Sequence, residues 1–290
     1  MRIIKTIAEM RSCSDQLQRE GIIIGLVPTM GFLHEGHLSL IRESKRTADK
    51  TIVSIFVNPT QFDPKEDYSR YPRDLNGDAD KCDKAGTDIL FLPSVDEIYP
   101  KGHRTFVEVE GLSRLLCGIS RPNHFRGVAT IVTKLLNITR PKKAFFGRKD
   151  YQQALIIRQL VSDLNLNVNI VVMPTIREAD GLAMSSRNSY LDPAEREKAR
   201  VLYRSLRLAK DLIISGEISA KEVRSKMETC IAGEGSTRIE YISISDPETL
   251  EEVEMIGDVV LVTIAVWIGK TRLIDNIIFN RVEGIEKTTL

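Results

Sequence analysis

Residues 22–37 read Ile22-Ile23-Ile24-Gly25-Leu26-Val27-Pro28-Thr29-Met30-Gly31-Phe32-Leu33-His34-Glu35-Gly36-His37. The first six form the apolar run of a buried strand, and Leu38-Ser39-Leu40-Ile41-Arg42-Glu43-Ser44 beyond them has helical spacing. Between the two lies a tight Pro/Gly turn, leading from the carboxyl end of a strand into the first turn of a helix. In open α/β sheets that crevice is where ligands bind. The N–H groups and positive dipole end of a helix start suit phosphate. Two of the four histidines stand here three residues apart, so on a first helical turn they share a face and can address one anion. A metalloprotease helix needs its histidines four apart, so no metal-binding side chain is expected. Histidines that only cap or pack the helix remain an alternative at this point.

Outward from this stretch the pattern alternates as far as about residue 175. Apolar strand-like runs at 22–27, 51–57, 88–92, 143–146 and 168–173 are separated by helical spacing at 38–45, 74–85, 128–138 and 151–164. That grammar predicts an α/β fold, a Rossmann-like doubly wound parallel sheet with helices on both faces. Near-continuous Val/Ile runs fit strands covered on both sides. After residue 175 the pattern changes. Asp192-Pro193 is a good helix start, and Val201, Leu202, Leu206, Ala209, Leu212 and Ile213 make one apolar face closed by Gly216. A second helix over 219–231 and strands over 240–245, 259–268 and 272–279 follow, the last two joined by a hairpin at Gly269-Lys270-Thr271. The expected division is 1–175, a nucleotide- and substrate-binding domain, and 176–290, a smaller α+β domain with antiparallel strands acting as a lid.

Composition narrows the function. The 290 residues carry a formal net charge of +1, which gives no global field to gather nucleic acid or an anionic membrane. Cys13, Cys82, Cys117 and Cys230 include no Cys-x-x-Cys pair, so neither a zinc site nor a disulfide framework is expected. Residues 1–6 read as charged, helix-like sequence without a signal-peptide core, and the longest apolar run, Val259–Ile268, is too short to span a bilayer. A cytoplasmic protein is expected. Neither Gly-x-Gly-x-x-Gly after a strand nor a P-loop occurs, which lowers the weight of dehydrogenases and P-loop kinases.

The strand ends carry the chemistry. Residues 58–62 place two carboxamides, Asn58 and Gln61, beyond a strand-stopping proline, as a short hydroxy acid or amine would need; an ordinary turn has the same look. Residues 147–153 bring Gly147, the cation Lys149, the acceptor Asp150 and, one turn on, Gln153. Ser185, Ser186 and Arg187 offer two hydroxyls and a guanidinium able to clamp a phosphoryl group, although a plain surface loop reads the same way. Residues 121–127 add a basic, aromatic loop. With no Ser/His/Asp order and no cysteine nucleophile, the set favours group transfer by positioning and charge stabilisation.

Taken together, residues 28–37, 58–62, 71–73, 124–128, 147–153 and 177–188 resemble the pantoate–β-alanine ligases (pantothenate synthetases), of the cytidylyltransferase-like and class I tRNA-synthetase-like nucleotide-binding superfamily. His34-Glu35-Gly36-His37 is similar to that superfamily's "HIGH" signature and Met184-Ser185-Ser186-Arg187 to its "KMSKS" loop. The resemblance implies ATP-dependent condensation of (R)-pantoate with β-alanine through a pantoyl adenylate, releasing AMP and pyrophosphate. By position, Met30, Gly31, Phe32, Leu33, His34, Glu35, Gly36 and His37 would line the ATP site with Gly147, Arg148, Lys149, Asp150, Ile176, Met184, Ser185, Ser186 and Arg187. Gln61 and Gln153 would hold pantoate, Gln61 also bordering β-alanine, while His34, His37, Lys149 and Arg187 would carry the chemistry. The resemblance gives His37 the part of proton donor, although a helix start disfavours imidazolium. Mg²⁺ would arrive on ATP, and a homodimer joined through the first domain is implied. Arg148 and Asn123 depart from residues common in the family. A simple nucleotidyltransferase and a nucleotide-sensing or RNA-binding module without turnover are the competing readings.

Overall fold

Six parallel strands form the first sheet of the computed structural model, which describes residues 1–64, 66–283 and 285–286. They are β1 (Arg2–Ile4), β2 (Ile24–Thr29), β3 (Lys50–Ile55), β4 (Ile89–Phe91), β5 (Lys143–Gly147) and β6 (Asn169–Met173), in the order β1-β4-β3-β2-β5-β6. β2 pairs with β3 on one side and β5 on the other, so the connections run in opposite directions from it. Its carboxyl end, facing that of β5, is the switch point where such sheets open a crevice. The helices are α1 (Ile7–Arg19), α2 (Glu35–Thr47), α3 (Leu75–Lys84), the short α4 (Val95–Ile98) and α5 (Cys117–Ser120), α6 (His124–Thr139) and α7 (Tyr151–Asp163).

The expected covering of both sheet faces is present. Met10 of α1 and Val128, Ile131, Val132 and Leu135 of α6 pack on one face with Leu26 and Ile52; Leu40 and Ile41 of α2 and Cys82 of α3 pack on the other with Val27 and Val53. α2 lies so close to β2 that a Cβ on Gly25 would meet Ser44 Oγ at 2.2 Å and Phe145 at 3.1 Å. Residues 2–4 depart from expectation. They are not helical but pair with Ile89–Phe91 as an edge strand, three residues being too few to show a period.

Beyond residue 175 come α8 (Pro193–Ala199), α9 (Val201–Ile214) and α10 (Ala220–Ala232), then the antiparallel strands β7 (Thr237–Ser245), β8 (Val259–Ile268), β9 (Thr271–Asn280) and β10 (Ile285–Glu286), in the order β10-β9-β8-β7. Asp192 and Glu195 form a capping box around Pro193. Leu206, Ala209, Ile213, Val223 and Met227 close over Val262, Ile264 and Ile277. A bulge between Ile239 and Tyr241 frees Glu240, whose carboxylate meets Arg272 at 2.7 Å, Trp267 Nε1 at 2.8 Å and Ser120 of α5 at 2.7 Å. Despite burial, Arg272 holds the Glu240 carboxyl down at about 2. β9 also contacts the first sheet's loops. Asn276 Nδ2 donates to the carbonyls of Arg148 (3.0 Å) and Lys149 (2.9 Å), and the neighbouring Asp275 carboxylate takes a bidentate pair from Arg177 at 2.6 and 3.0 Å.

Candidate active site

A cleft opens at the switch point. It is lined from β2 and α2 by Met30, His34, Gly36 and His37, from β5 and α7 by Gly147, Lys149, Asp150 and Gln153, from the 58–61 turn by Asn58 and Gln61, and from 174–187 by Ile176, Met184, Ser185, Ser186 and Arg187. Sequence-distant segments thus converge, as the resemblance requires.

The turn into α2 is tightly held. Gly31 (φ +85°) and Phe32 (φ +50°) both adopt left-handed backbone, which for the non-glycine residue costs about 1–2 kcal/mol. Asp78 of α3 offsets this, its carboxylate accepting the N–H groups of Phe32 and Leu33 at 2.7 Å each. Hydrogen bonds to a charged group contribute about 1.5–3 kcal/mol.

His34 caps α2 and His37 completes the box. Gly36 N–H donates to His34 Nδ1 at 3.2 Å and His34 N–H donates to His37 Nδ1 at 3.3 Å, with the rings 4.1 Å apart. Two Nδ1 acceptors require both rings to carry their proton on Nε2. A second proton would break each cap. Burial, with the Lys149 ammonium next in weight, lowers His34 to about 4; burial, His34 and Lys149 push His37 well below the ordinary histidine value. Each ring therefore stays neutral near pH 7 and keeps an Nε2–H donor for the cleft.

On the carboxamide side, Gln61 is buried, accepting from Asn58 Nδ2 at 3.0 Å and donating to Met30 Sδ at 3.2 Å. Asn58 Oδ1 accepts from the Thr60 and Tyr99 hydroxyls at 2.9 and 2.8 Å. His124 Nδ1–H donates to the Gln61 carbonyl at 2.9 Å, and burial followed by Arg121 keeps that ring neutral. Gln152 and Gln153 diverge. Both border the cleft, but the Gln152 carboxamide is spent on Leu112, Leu115 and Cys117 backbone. Lys149 Nζ stands 3.8 Å from Asp150.

The arginine wall is different. Arg187 makes two 2.9 Å hydrogen bonds to Asp67 and stacks 5.6 Å over Tyr71; Arg121 grips Glu66, one position before, through Nε and, at 2.7 Å, Nη2. Burial opposes the Arg187 charge, but Asp67 outweighs it and raises the guanidinium's affinity for its proton. Ser186 Oγ donates to Phe32 O at 3.1 Å, so the 184–187 loop rests on the turn before α2.

Some expected site residues stand behind the cleft. Leu33 packs in the core, Glu35 pairs with Arg42 at 2.6 Å on the outer side of α2, and Arg148 is 3% exposed and does not line the cavity; Gly31 and Phe32 shape it through backbone. Asp67, Glu66, Asp78 and Asn276 carried no signal in the sequence. Their work is side chain to backbone or side chain to a distant arginine, which leaves no spacing pattern. Among the described residues no group of three or more His, Cys, Asp or Glu side chains could hold a metal, and no helix is long and apolar enough to cross a membrane. The four cysteines are free thiols.

Known proteins resemble this chain in sequence and fold. The sequence model described as pantoate-beta-alanine ligase matches residues 2–278. A pantothenate synthetase of Moorella thermoacetica is 54% identical over 278 residues, covering 96% of this chain and 98% of the relative; one of Thermotoga neapolitana is 52% identical over 96% and 99%. The crystal structure of pantothenate synthetase from Thermus thermophilus superposes with a TM-score of 0.91 at 45% identity, covering 95% of this chain and 98% of that one. A pantoate-beta-alanine ligase from Francisella tularensis, complexed with beta-gamma ATP and beta-alanine, gives 0.81 at 38% identity over 97% and 98%.

Proposed function

This chain belongs to the pantoate–beta-alanine ligase family and condenses pantoate with β-alanine using ATP; we propose that the reaction runs through a pantoyl adenylate formed in the switch-point cleft. In the first step a pantoate carboxylate oxygen bonds to the α-phosphorus of ATP, and the bond to the bridging oxygen breaks to release pyrophosphate. In the second the β-alanine amine bonds to the acyl carbon, the C–O bond to AMP breaks, and the amine gives up a proton. A free carboxylate would have to expel oxide; the adenylate expels AMP.

The chain's own residues supply position and charge. Negative charge grows on the phosphoryl oxygens as the first step proceeds, and preorganised donors there are worth most in a dry site. His34 and His37 offer neutral Nε2–H donors and Lys149 an ammonium. On this reading the histidines stabilise charge by hydrogen bonding and are not acids, which departs from the proton-donor role that the resemblance gave to His37. Gln61 and Gln153 hold pantoate, Gln61 also faces β-alanine, and Met184, Ser185, Ser186 and Arg187 close on the phosphates. Gly147 and Ile176 present backbone to the nucleotide. With no acidic cluster among the described residues, the cleft would take Mg²⁺ together with the triphosphate; Asp150 would be the residue to hold it, and the ion would neutralise phosphate charge. Residues 1–175 and 176–290 act as substrate domain and lid, in a cytoplasmic homodimer joined through the former.

The observation that carries the reading is the pair of imidazoles with both Nδ1 atoms occupied, lining the same cavity as Lys149 and the carboxamides. The test is exchange of labelled pyrophosphate into ATP with pantoate and without β-alanine. Exchange strictly dependent on pantoate is expected. Its absence, with pantothenate still formed when all substrates are present, overturns the two-step route.

A further inference from the structure

The four main-chain polar groups of Phe32 and Leu33 are all taken by side chains from elsewhere in the chain. The two N–H groups go to Asp78, the Phe32 carbonyl accepts from Ser186 Oγ at 3.1 Å, and the Leu33 carbonyl accepts from Lys81 Nζ at 2.8 Å. Asp78 and Lys81 are three apart on α3 and so share a face. Asp78 is 1% exposed. Consecutive N–H groups in a left-handed turn form a nest that ordinarily takes an anion from solution. Here a buried carboxylate fills it from below.

We propose that Asp78, assisted by Lys81, is a positioning residue that pre-forms this turn and reserves its N–H pair for the protein's own anion. Two consequences follow for the reaction assigned above, on which this inference rests. The phosphates have no loop nest to enter, so they are gripped by side chains. The same clamp sets the orientation of His34, the next residue, and of Met30, whose sulfur accepts from Gln61. Loosening it misplaces the histidine donors and the pantoate carboxamide together, which is a loss felt in the transition state more than in ATP binding.

Asp78→Asn keeps the volume but sets an NH₂ against one of the two N–H groups. Hydrogen exchange of the Phe32 and Leu33 amides, read by NMR, is expected to rise at least about tenfold while that of β2 and β3 stays unchanged. That readout does not depend on the assigned reaction. In pantoate-dependent exchange, kcat is expected to fall about thirtyfold while calorimetric ATP affinity changes less than about threefold. A variant that only weakened folding would lower the melting temperature without this split. If Asp78→Asn does not fold, Lys81→Met, which removes the carbonyl contact together with a minor charge effect on His34 and His37, carries the test through Leu33 amide exchange, with an expected five- to tenfold fall in kcat. Unchanged amide exchange in a folded variant, or kcat within twofold of wild type in an active enzyme, overturns the proposal. Altered amide exchange in a protein whose wild type shows no turnover with pantoate would instead count against the reaction and leave the clamp standing.

Discussion

On one side of the cleft two imidazoles are held by main-chain N–H groups; on the other, two guanidiniums are held by Glu66 and Asp67, neighbours in a single loop. The histidines reach the cleft uncharged, with a donor unspent. Arg121 and Arg187 reach it charged, with Nε and Nη2 of each already engaged with a carboxylate. The first wall would need no rearrangement to meet a phosphate, whereas a phosphate at Arg187 would share the guanidinium with Asp67 and compete with it. Preorganisation favours the transition state, and exchange of partners trades away part of the binding energy. The histidine wall should govern rate and the arginine wall affinity.

Removing donors from the first wall is the most severe way to test this. His37→Ala and Lys149→Ala should each lower pantoate-dependent exchange by at least about a hundredfold, as loss of an aligned donor does. Rates near wild type in both would abolish the distinction between the walls. His34→Asn refines it, because asparagine is itself a good helix cap. Exchange should fall about thirtyfold while the melting temperature at pH 7.5 barely moves. The same variant reports on charge. An unfolded histidine takes its proton near 6.5, whereas folded His34 resists until about 4. Between those values the unfolded chain binds more protons, so wild-type stability is complete above pH 6.5 and declines as the pH falls toward 4. Melting curves at pH 7.5 and 4.5 should show a smaller decline for His34→Asn; an equal decline would mean that the ring is not held neutral. The gentlest test is on the other wall. Asp67→Asn weakens the competitor for Arg187, so the KM for ATP should fall about threefold with kcat within twofold. A higher KM would show that Asp67 orients the arginine instead of competing for it, and the contrast would fail.

Reading the sequence recovered what periodicity and turn chemistry encode. The strand expected at 22–27 is present but shifted to Ile24–Thr29, taking in the proline and threonine read as turn, while the Asp192-Pro193 helix start and the Gly269 hairpin are where local pattern puts them. The first histidine pair could be read as facing one anion, yet its neutrality was only hinted at by the helix start, because the capping box depends on ring orientation. Gln152 and Gln153 look alike in sequence and both line the cleft, and only the contact with 112–117 shows that the Gln152 carboxamide is already committed. Asp78 and Asp67 sit among other acidic residues of an apparently solvated stretch, their partners 45 and 120 positions away. Contacts of that kind are set by the tertiary fold, and no single-sequence period reports them.

Asn276 ties the main chain on which Lys149 rides to the centre of the second sheet, and Asp275 beside it anchors Arg177 at the entry to the 177–188 segment. Both ends of any swinging motion are thus bolted to the same strand. Any lid motion of residues 176–290 would therefore pull on the main chain that carries Lys149, so that opening the carboxyl-terminal unit and loosening that ammonium would be one event and not two.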